Sequence, residues 1–275
     1  MTLTRYFYSI PWLLLLSLFV GGCDRPTIPT NDYGLDPQAD VNLLNRSLRL
    51  YGKLYEGEMP EPTGTDIVVN GFAGAVEVSA GVRLFLPYNT NNNNNLCLVY
   101  LKVVGADTYW ESPVEQDSVS GAPFITISIP NFVQEGDFDL EYAVADCDGE
   151  ISRVVVTNTR VSPPGECGSS FSGSVGVTVR TLDLGDEPGT VSVSYQMYQA
   201  RDRLDLRYAG RWIESTGVLL GNAQQAPNCA LTSGFVSGVG TLTFEYDPRE
   251  SRSLQVYITG CASGTLWDIT VSCPD

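Results

Sequence analysis

Residues 136–150 read GDFDLEYAVADCDGE. From 138 to 142 apolar Phe138, Leu140 and Tyr142 alternate with Asp139 and Glu141, an apolar Ala143-Val144-Ala145 follows, and Asp148-Gly149 then stops the run. A period of two is what a strand with one covered face requires, and Asp-Gly is turn chemistry. Outward from this stretch the same grammar of short β-branched and aromatic runs, separated by Gly, Asn, Asp and Pro, begins at Thr65. It predicts strands over 75–78, 82–88, 96–104, 124–129, 138–145 and 151–161, with Asn91–Asn95 as a solvated spacer between two of them. Pro163-Pro164-Gly165 punctuates the chain, and a second set of strands is predicted over 176–182, 190–198, 203–208, 240–246, 254–259 and 266–272. The fold expected is all-β: two antiparallel β-sandwich domains in tandem, over 65–163 and 164–275. In the second, Arg201, Arg203, Asp205 and Arg207 alternate with Asp202, Leu204, Leu206 and Tyr208, which predicts a wet face, extended by Arg211, and a buried one. On that pattern Asp202 points inward.

Upstream, an eleven-residue apolar block over 10–20 follows Arg5 and is too short to cross a bilayer as a helix. It suits the apolar core of a cleaved signal peptide over 1–22. Its ending, Val20-Gly21-Gly22-Cys23, resembles the bacterial lipobox. That resemblance implies that Cys23 becomes a lipidated N-terminus such as diacylglycerol and palmitate would provide. The protein would then be anchored to one leaflet in the cell envelope, at the outer membrane or cell surface, without spanning it. Residues 23–64, rich in proline at both ends, read as a tether. Within it Val41, Leu44, Leu48, Tyr51 and Tyr55 fall at helical spacing, predicting a short helix that rests either on the membrane or on the first domain.

Composition excludes several chemistries. There is no histidine, which removes Ser-His-Asp and Cys-His catalysis, HExxH zinc sites and the two-histidine iron triad. Loss of Arg5 with the leader leaves 15 basic residues against 32 acidic ones, a formal charge of -17, which disfavours nucleic acid as a partner.

The stretch 136–150 also resembles the F strand and F–G turn of bacterial immunoglobulin-like domains, a likeness covering about 65–163. The resemblance implies that the strand over 96–104 is the C strand, antiparallel to F, which brings Cys97 beside Cys147 as a disulfide. Trp110 is then expected in the core. Residues 166–275 resemble C-terminal modules of bacterial secreted and surface proteins through Asp202–Gly210, Thr216-Gly217, Ser237–Thr241 and Gly264–Pro274. A looser likeness is to the jelly-roll-like CUB domains, and an insertion over 219–231 departs from both the module pattern and the CUB pattern. No activity comes with either resemblance.

Cys23 apart, six cysteines remain for an oxidising compartment, so full pairing is expected. Cys261 and Cys273 are separated by a turn and a whole strand, too far to bridge, which favours Cys167 with Cys273 and Cys229 with Cys261. Loop carboxylates at Asp183, Asp186 and Glu187, together with the inward Asp202, are the residues that would suit calcium, although Gly-Asp sequences also make ordinary turns. The function expected is non-catalytic: a lipid-anchored envelope protein for adhesion, scaffolding or display of an unknown protein or glycan ligand. The alternative is a carbohydrate-binding lipoprotein using Trp212, Trp267, Tyr195 or Tyr198 as sugar platforms.

Overall fold

The alternating runs become strands. The computed structural model describes residues 34–64, 67–70, 75–91, 95–116, 121–217 and 234–275. Helix α1 (Val41–Ser47) and strand β1 (Lys53–Glu56) come first. They are followed by β2 (Val69–Asn70), β3 (Ala75–Ser79), β4 (Arg83–Pro87), β5 (Asn89–Thr90) and β6 (Leu96–Val103). Next come β7 (Thr108–Pro113), β8 (Glu115–Gln116), β9 (Pro123–Ser128), β10 (Gly136–Asp146) and β11 (Val155–Ser162). Beyond the two prolines lie β12 (Gly165–Glu166), β13 (Ser170–Ser174), β14 (Gly176–Asp183), β15 (Gly189–Gln196) and β16 (Asp202–Tyr208). The chain closes with β17 (Arg211–Ser215), β18 (Val239–Tyr246), β19 (Ser253–Gly260) and β20 (Leu266–Val271).

Residues 34–64 are not a free tether. Leu35, Leu44 and Leu48 lie in the first core, and β1 pairs with β7. The seven-residue α1 is too short to persist alone, so its stability must come from caps and contacts. The Asp40 side chain accepts from the Leu43 amide at 2.9 Å. Asn45, fully buried, donates from Nδ2 to the Thr108 carbonyl and hydroxyl, both at 2.8 Å, and accepts the Val103 amide at 2.9 Å. Trp110, 8% exposed and in the core as expected, donates from Nε1 to the Asn45 carbonyl at 2.9 Å. The basic residue at the end of the helix is consumed internally, with Arg46 pairing to Glu56 at 2.9 Å. On the helix and just after it, Leu44 and Leu48 are buried in the first core, while Leu43 is half exposed.

Among the described residues one eleven-stranded sheet runs β1-β7-β6-β10-β11-β3-β14-β19-β16-β17, with β12 alongside β14. The two halves are therefore joined by more than a linker. Strand β3 pairs in parallel with β11 on one side and with β14 on the other, so it belongs to both. Its junction with β14 is close. An ideal Cβ on Gly176, where φ is +137°, would sit 2.1 Å from the Ala75 carbonyl oxygen. Only glycine fits there without displacement.

Register assigns the faces. Val76 aligns with Val177, Val78 with Val179, and Val179 with Tyr257, so all five share one face. That face packs with Leu84, Leu86, Ile125 and Ile127 of the small sheet β4-β9-β8. The alternate residues, Leu182, Leu204, Leu206, Leu254, Val256 and Ile258, pack on the opposite side with Val191, Val193, Trp267 and Ile269 of the sheet β13-β20-β15-β18. A single central sheet thus carries one covering layer on each face, the first over its N-terminal half and the second over its C-terminal half.

This arrangement corrects the wet face expected on β16. Arg203 and Asp205 are 2% and 3% exposed. The guanidinium grips the carboxylate twice, Nε to Oδ2 and Nη2 to Oδ1, each at 2.8 Å, and the Ser215 hydroxyl donates to the same carboxylate at 2.5 Å. Gly217 and Gly234 lie against the guanidinium, where an ideal Cβ would approach Nη1 to 2.8 and 3.0 Å. Alternation assigned the side chains to the correct faces, but it carried no information about what covers a face.

Candidate functional site

Of the aromatic residues expected to present a sugar platform, most are occupied within the fold. Trp267 is 1% exposed in the second core and donates from Nε1 to the Ser174 carbonyl at 3.0 Å. Trp212 is wedged between Phe85 and Tyr257, with ring centroids at 6.0 and 4.8 Å, where the two halves meet. Tyr195 is half-buried over Gly240. Tyr198 alone is well exposed, at 47%, and its hydroxyl donates to Asp268, an interaction that raises the phenol's pKa. These four do not form a planar row.

The acidic positions are likewise engaged. Asp183 and Asp186 both pair with Arg252, at 3.1 and 2.9 Å, and Asp183 accepts the Gly185 amide in its turn, while Glu187 is exposed. Asp202 does point inward, with no exposed surface. Its Oδ2 accepts the Thr265 hydroxyl at 2.6 Å, its Oδ1 has no partner, and desolvation pushes its pKa up to about 6. Among the described residues no group of three or more His, Cys, Asp or Glu is arranged to hold a metal ion. Two disulfides join described residues, Cys97 with Cys147 and Cys167 with Cys273, with Cα atoms 5.0 and 4.7 Å apart. Cys261 is disulfide-bonded. Cys23 and Cys229, like the 219–231 insertion, lie outside the described residues.

The residues that do converge on open space were not expected to form a site, and Tyr51 among them was read only as part of a helical stripe. Beside the small sheet, a cavity of about 290 Å³ is lined by Arg49, Leu50, Tyr51, Arg83, Glu115, Thr126 and Ser128. The backbone explains why they meet. Arg83 is in register with Ser128 across β4 and β9, and the free edge of β9 is taken by the segment after α1, with Arg49 and Ser128 exchanging amide-carbonyl bonds of 3.2 and 2.9 Å. Arg83, Ser128 and Arg49 therefore form one lateral row on one face, with strand spacing placing the two arginine backbones roughly 10 Å apart. Two residues along β9, Thr126 comes to the same face, and Glu115 joins from β8 opposite Phe124.

The polar groups of this groove are only partly used. Arg49 Nη1 caps the end of α1 by donating to the carbonyls of Arg46, Ser47 and Leu48 at 3.1, 3.3 and 3.2 Å. Its Nε and Nη2 make no hydrogen bond, and neither does any nitrogen of the exposed Arg83 guanidinium, among the described residues. Glu115 accepts the Thr126 amide through Oε2 at 3.1 Å, and the Thr126 hydroxyl is buried without a partner. Tyr51, 75% exposed, stands at the lip. Arg83 is itself held from the other half of the molecule, because the Tyr257 hydroxyl donates to its carbonyl at 2.8 Å. Among the described residues the groove thus offers two cations, one carboxylate and an aromatic ring.

The layers define a β-sandwich protein. No protein-family model matches the chain, and no curated protein matches it. Among solved structures, the D00-D0 domain of intimin is similar at 13% identity, covering 74% of this chain and 92% of that one with a TM-score of 0.27. Carbohydrate-binding modules of the β-sandwich superfamily are similar at 11% identity over 78% of this chain and 99% of theirs, with a TM-score of 0.23. The SrpA adhesin R347E mutant from Streptococcus sanguinis matches at 10% identity and a TM-score of 0.27, over 37% of this chain and 60% of the adhesin chain. At such scores these likenesses carry no argument about function.

Proposed function

We propose that the chain is a non-catalytic binding protein displayed at the bacterial cell envelope, anchored by a lipid on Cys23 and presenting a ligand site on a rigid double sandwich. The observation that carries this reading is the groove on the small sheet. There, unpaired guanidinium donors, a carboxylate and an exposed tyrosine ring line one cavity, while other surface charges such as Arg46, Arg211, Arg249 and Arg252 are paired within the protein. Among the described residues Glu115 is the only carboxylate lining it, and glycoside hydrolysis by the common route takes two. The anchor rests on the motif Val20-Gly21-Gly22-Cys23.

A carbohydrate ligand is the reading that the groove's mixture of donors, acceptor and aromatic ring favours over a purely apolar partner. The test is binding of the detergent-solubilised full-length lipoprotein to a broad glycan array, with calcium and with chelator. Saturable binding to one glycan class that disappears in Arg83→Ala is expected. A blank array would turn the reading to a protein ligand. Cys23→Ser should abolish incorporation of labelled palmitate, and undiminished labelling would remove the anchor from the proposal.

A further inference from the structure

We infer that the groove recognises a carboxylated sugar residue, a hexuronic or related sugar acid, at the end of a glycan. This rests on the reading of the chain as a binding protein and adds the ligand's chemical class. Four features of the groove select it together.

Arg83 is exposed and projects five N–H donors that nothing in the described protein accepts. A guanidinium fork matches a planar carboxylate through two parallel hydrogen bonds, which a single hydroxyl cannot reproduce. In a chain of formal charge -16, a described lining with two cations against one anion is a local departure that favours an anionic ligand.

Glu115 narrows the choice further. A simple anion held between the arginines would face its carboxylate and be repelled by it, so the ligand must also bring hydrogen-bond donors to that side. A sugar acid does this, because its ring hydroxyls donate to Glu115 Oε1 and accept from Arg49 Nε and Nη2 while its carboxylate takes Arg83.

Tyr51 supplies the remaining surface. Its ring is three-quarters exposed at the lip, where the C–H face of a pyranose can stack on it. A cavity near 290 Å³ lies at the small end of ligand sites, which suits one terminal residue with the rest of the glycan leaving past Tyr51.

The experiment is calorimetric titration of the full-length lipoprotein in detergent with a hexuronate-terminated disaccharide, its neutral hexose counterpart and sodium sulfate. The hexuronate is expected to bind saturably, with the neutral sugar weaker by about tenfold or more, as loss of a charge-assisted bidentate pair implies. Arg83→Met keeps the aliphatic stem and removes the fork, and it should weaken the hexuronate by a similar factor without shifting thermal unfolding. Tyr51→Ala should weaken both sugars alike. Equal affinity for the neutral sugar would overturn the carboxylate assignment, and equal affinity for sulfate would overturn the sugar. Unchanged hexuronate binding in Arg83→Met would overturn the site. If the hexuronate fails while the glycan array records another sugar, this inference falls and the carbohydrate reading stands. A wholly blank array removes both.

Discussion

Asp202 opens β16 with no exposed surface, one oxygen on the Thr265 hydroxyl and the other without a partner. Gly260, opposite it, has no room for a side chain, since an ideal Cβ there would lie 2.8 Å from the Ser174 carbonyl oxygen and 3.2 Å from Asp202 Oδ1. Burial raises the carboxyl's pKa to about 6, so the folded protein holds this proton more tightly than the unfolded chain does. The stability associated with Asp202 is therefore fullest below its unfolded value and is lost as pH rises through about 6. Asp202→Asn keeps the shape and removes the titration. Relative to wild type it should gain on the order of 1–2 kcal/mol between pH 4 and pH 8, measured by urea unfolding at the two values. A difference between the proteins that does not change with pH would contradict a raised pKa at this site. The inward direction of Asp202 was legible because it stands in phase with Leu204 and Leu206. Asn45 was not legible, because a polar residue on a helix becomes a buried anchor only when the Val103 amide and Thr108 are brought to it.

At the scale of elements, β3 is the strand on which the arrangement turns. Five residues long, it reads as an ordinary half-buried strand, and its alternation predicts that Val76 and Val78 face a core. Nothing local says that both of its edges are used, or that both pairings are parallel. The one local mark is Gly176, whose backbone must come within van der Waals reach of Ala75, but a lone glycine at a strand end equally marks a bulge, a bend or a turn. Gly176→Ala would force the two strands apart and place alanine at an unfavourable positive φ, a cost of about 2 kcal/mol or more. Urea unfolding should show that loss, accompanied by faster amide exchange in β3 and β14 than in β6 or β10. A variant as stable as wild type would mean that the junction yields easily. The Arg203–Asp205 pair on β16 makes the same point, since its residues were placed on the correct face and only the covering layer turned that face from wet to dry.

For the whole molecule, the first core contains Val177, Val179 and Tyr257 from the second half, and Glu77 of β3 pairs with Arg180 of β14 at 2.6 Å. The halves should therefore unfold together. Calorimetry is expected to give one transition with agreeing van't Hoff and calorimetric enthalpies, and a chain ending at Ser162 should not fold, because it leaves a β3 edge open and removes part of its own core. Two resolved transitions, or a stable truncated domain, would show the halves to be independent. The groove depends on the same union, since Tyr257 holds the Arg83 backbone from 174 positions away.

The local pattern of the chain by itself determined the all-β class, the positions of most strands, the helix after Asp40, the faces of β16 and the pairing of Cys167 with Cys273, while the pairing of Cys97 with Cys147 came through the resemblance to immunoglobulin-like domains. The former follow from periodicity, turn chemistry and cysteine spacing, which act between residues near one another along the chain or through a simple antiparallel neighbour. Only the tertiary structure decided that the two sandwiches share one sheet, that residues 34–64 complete the first of them, that Trp212 and Trp267 are structural, and that Arg49, Arg83 and Glu115 line one cavity. Edge pairing and the covering of a face join segments far apart in sequence through backbone groups that every residue carries, so neither leaves a mark in residue type.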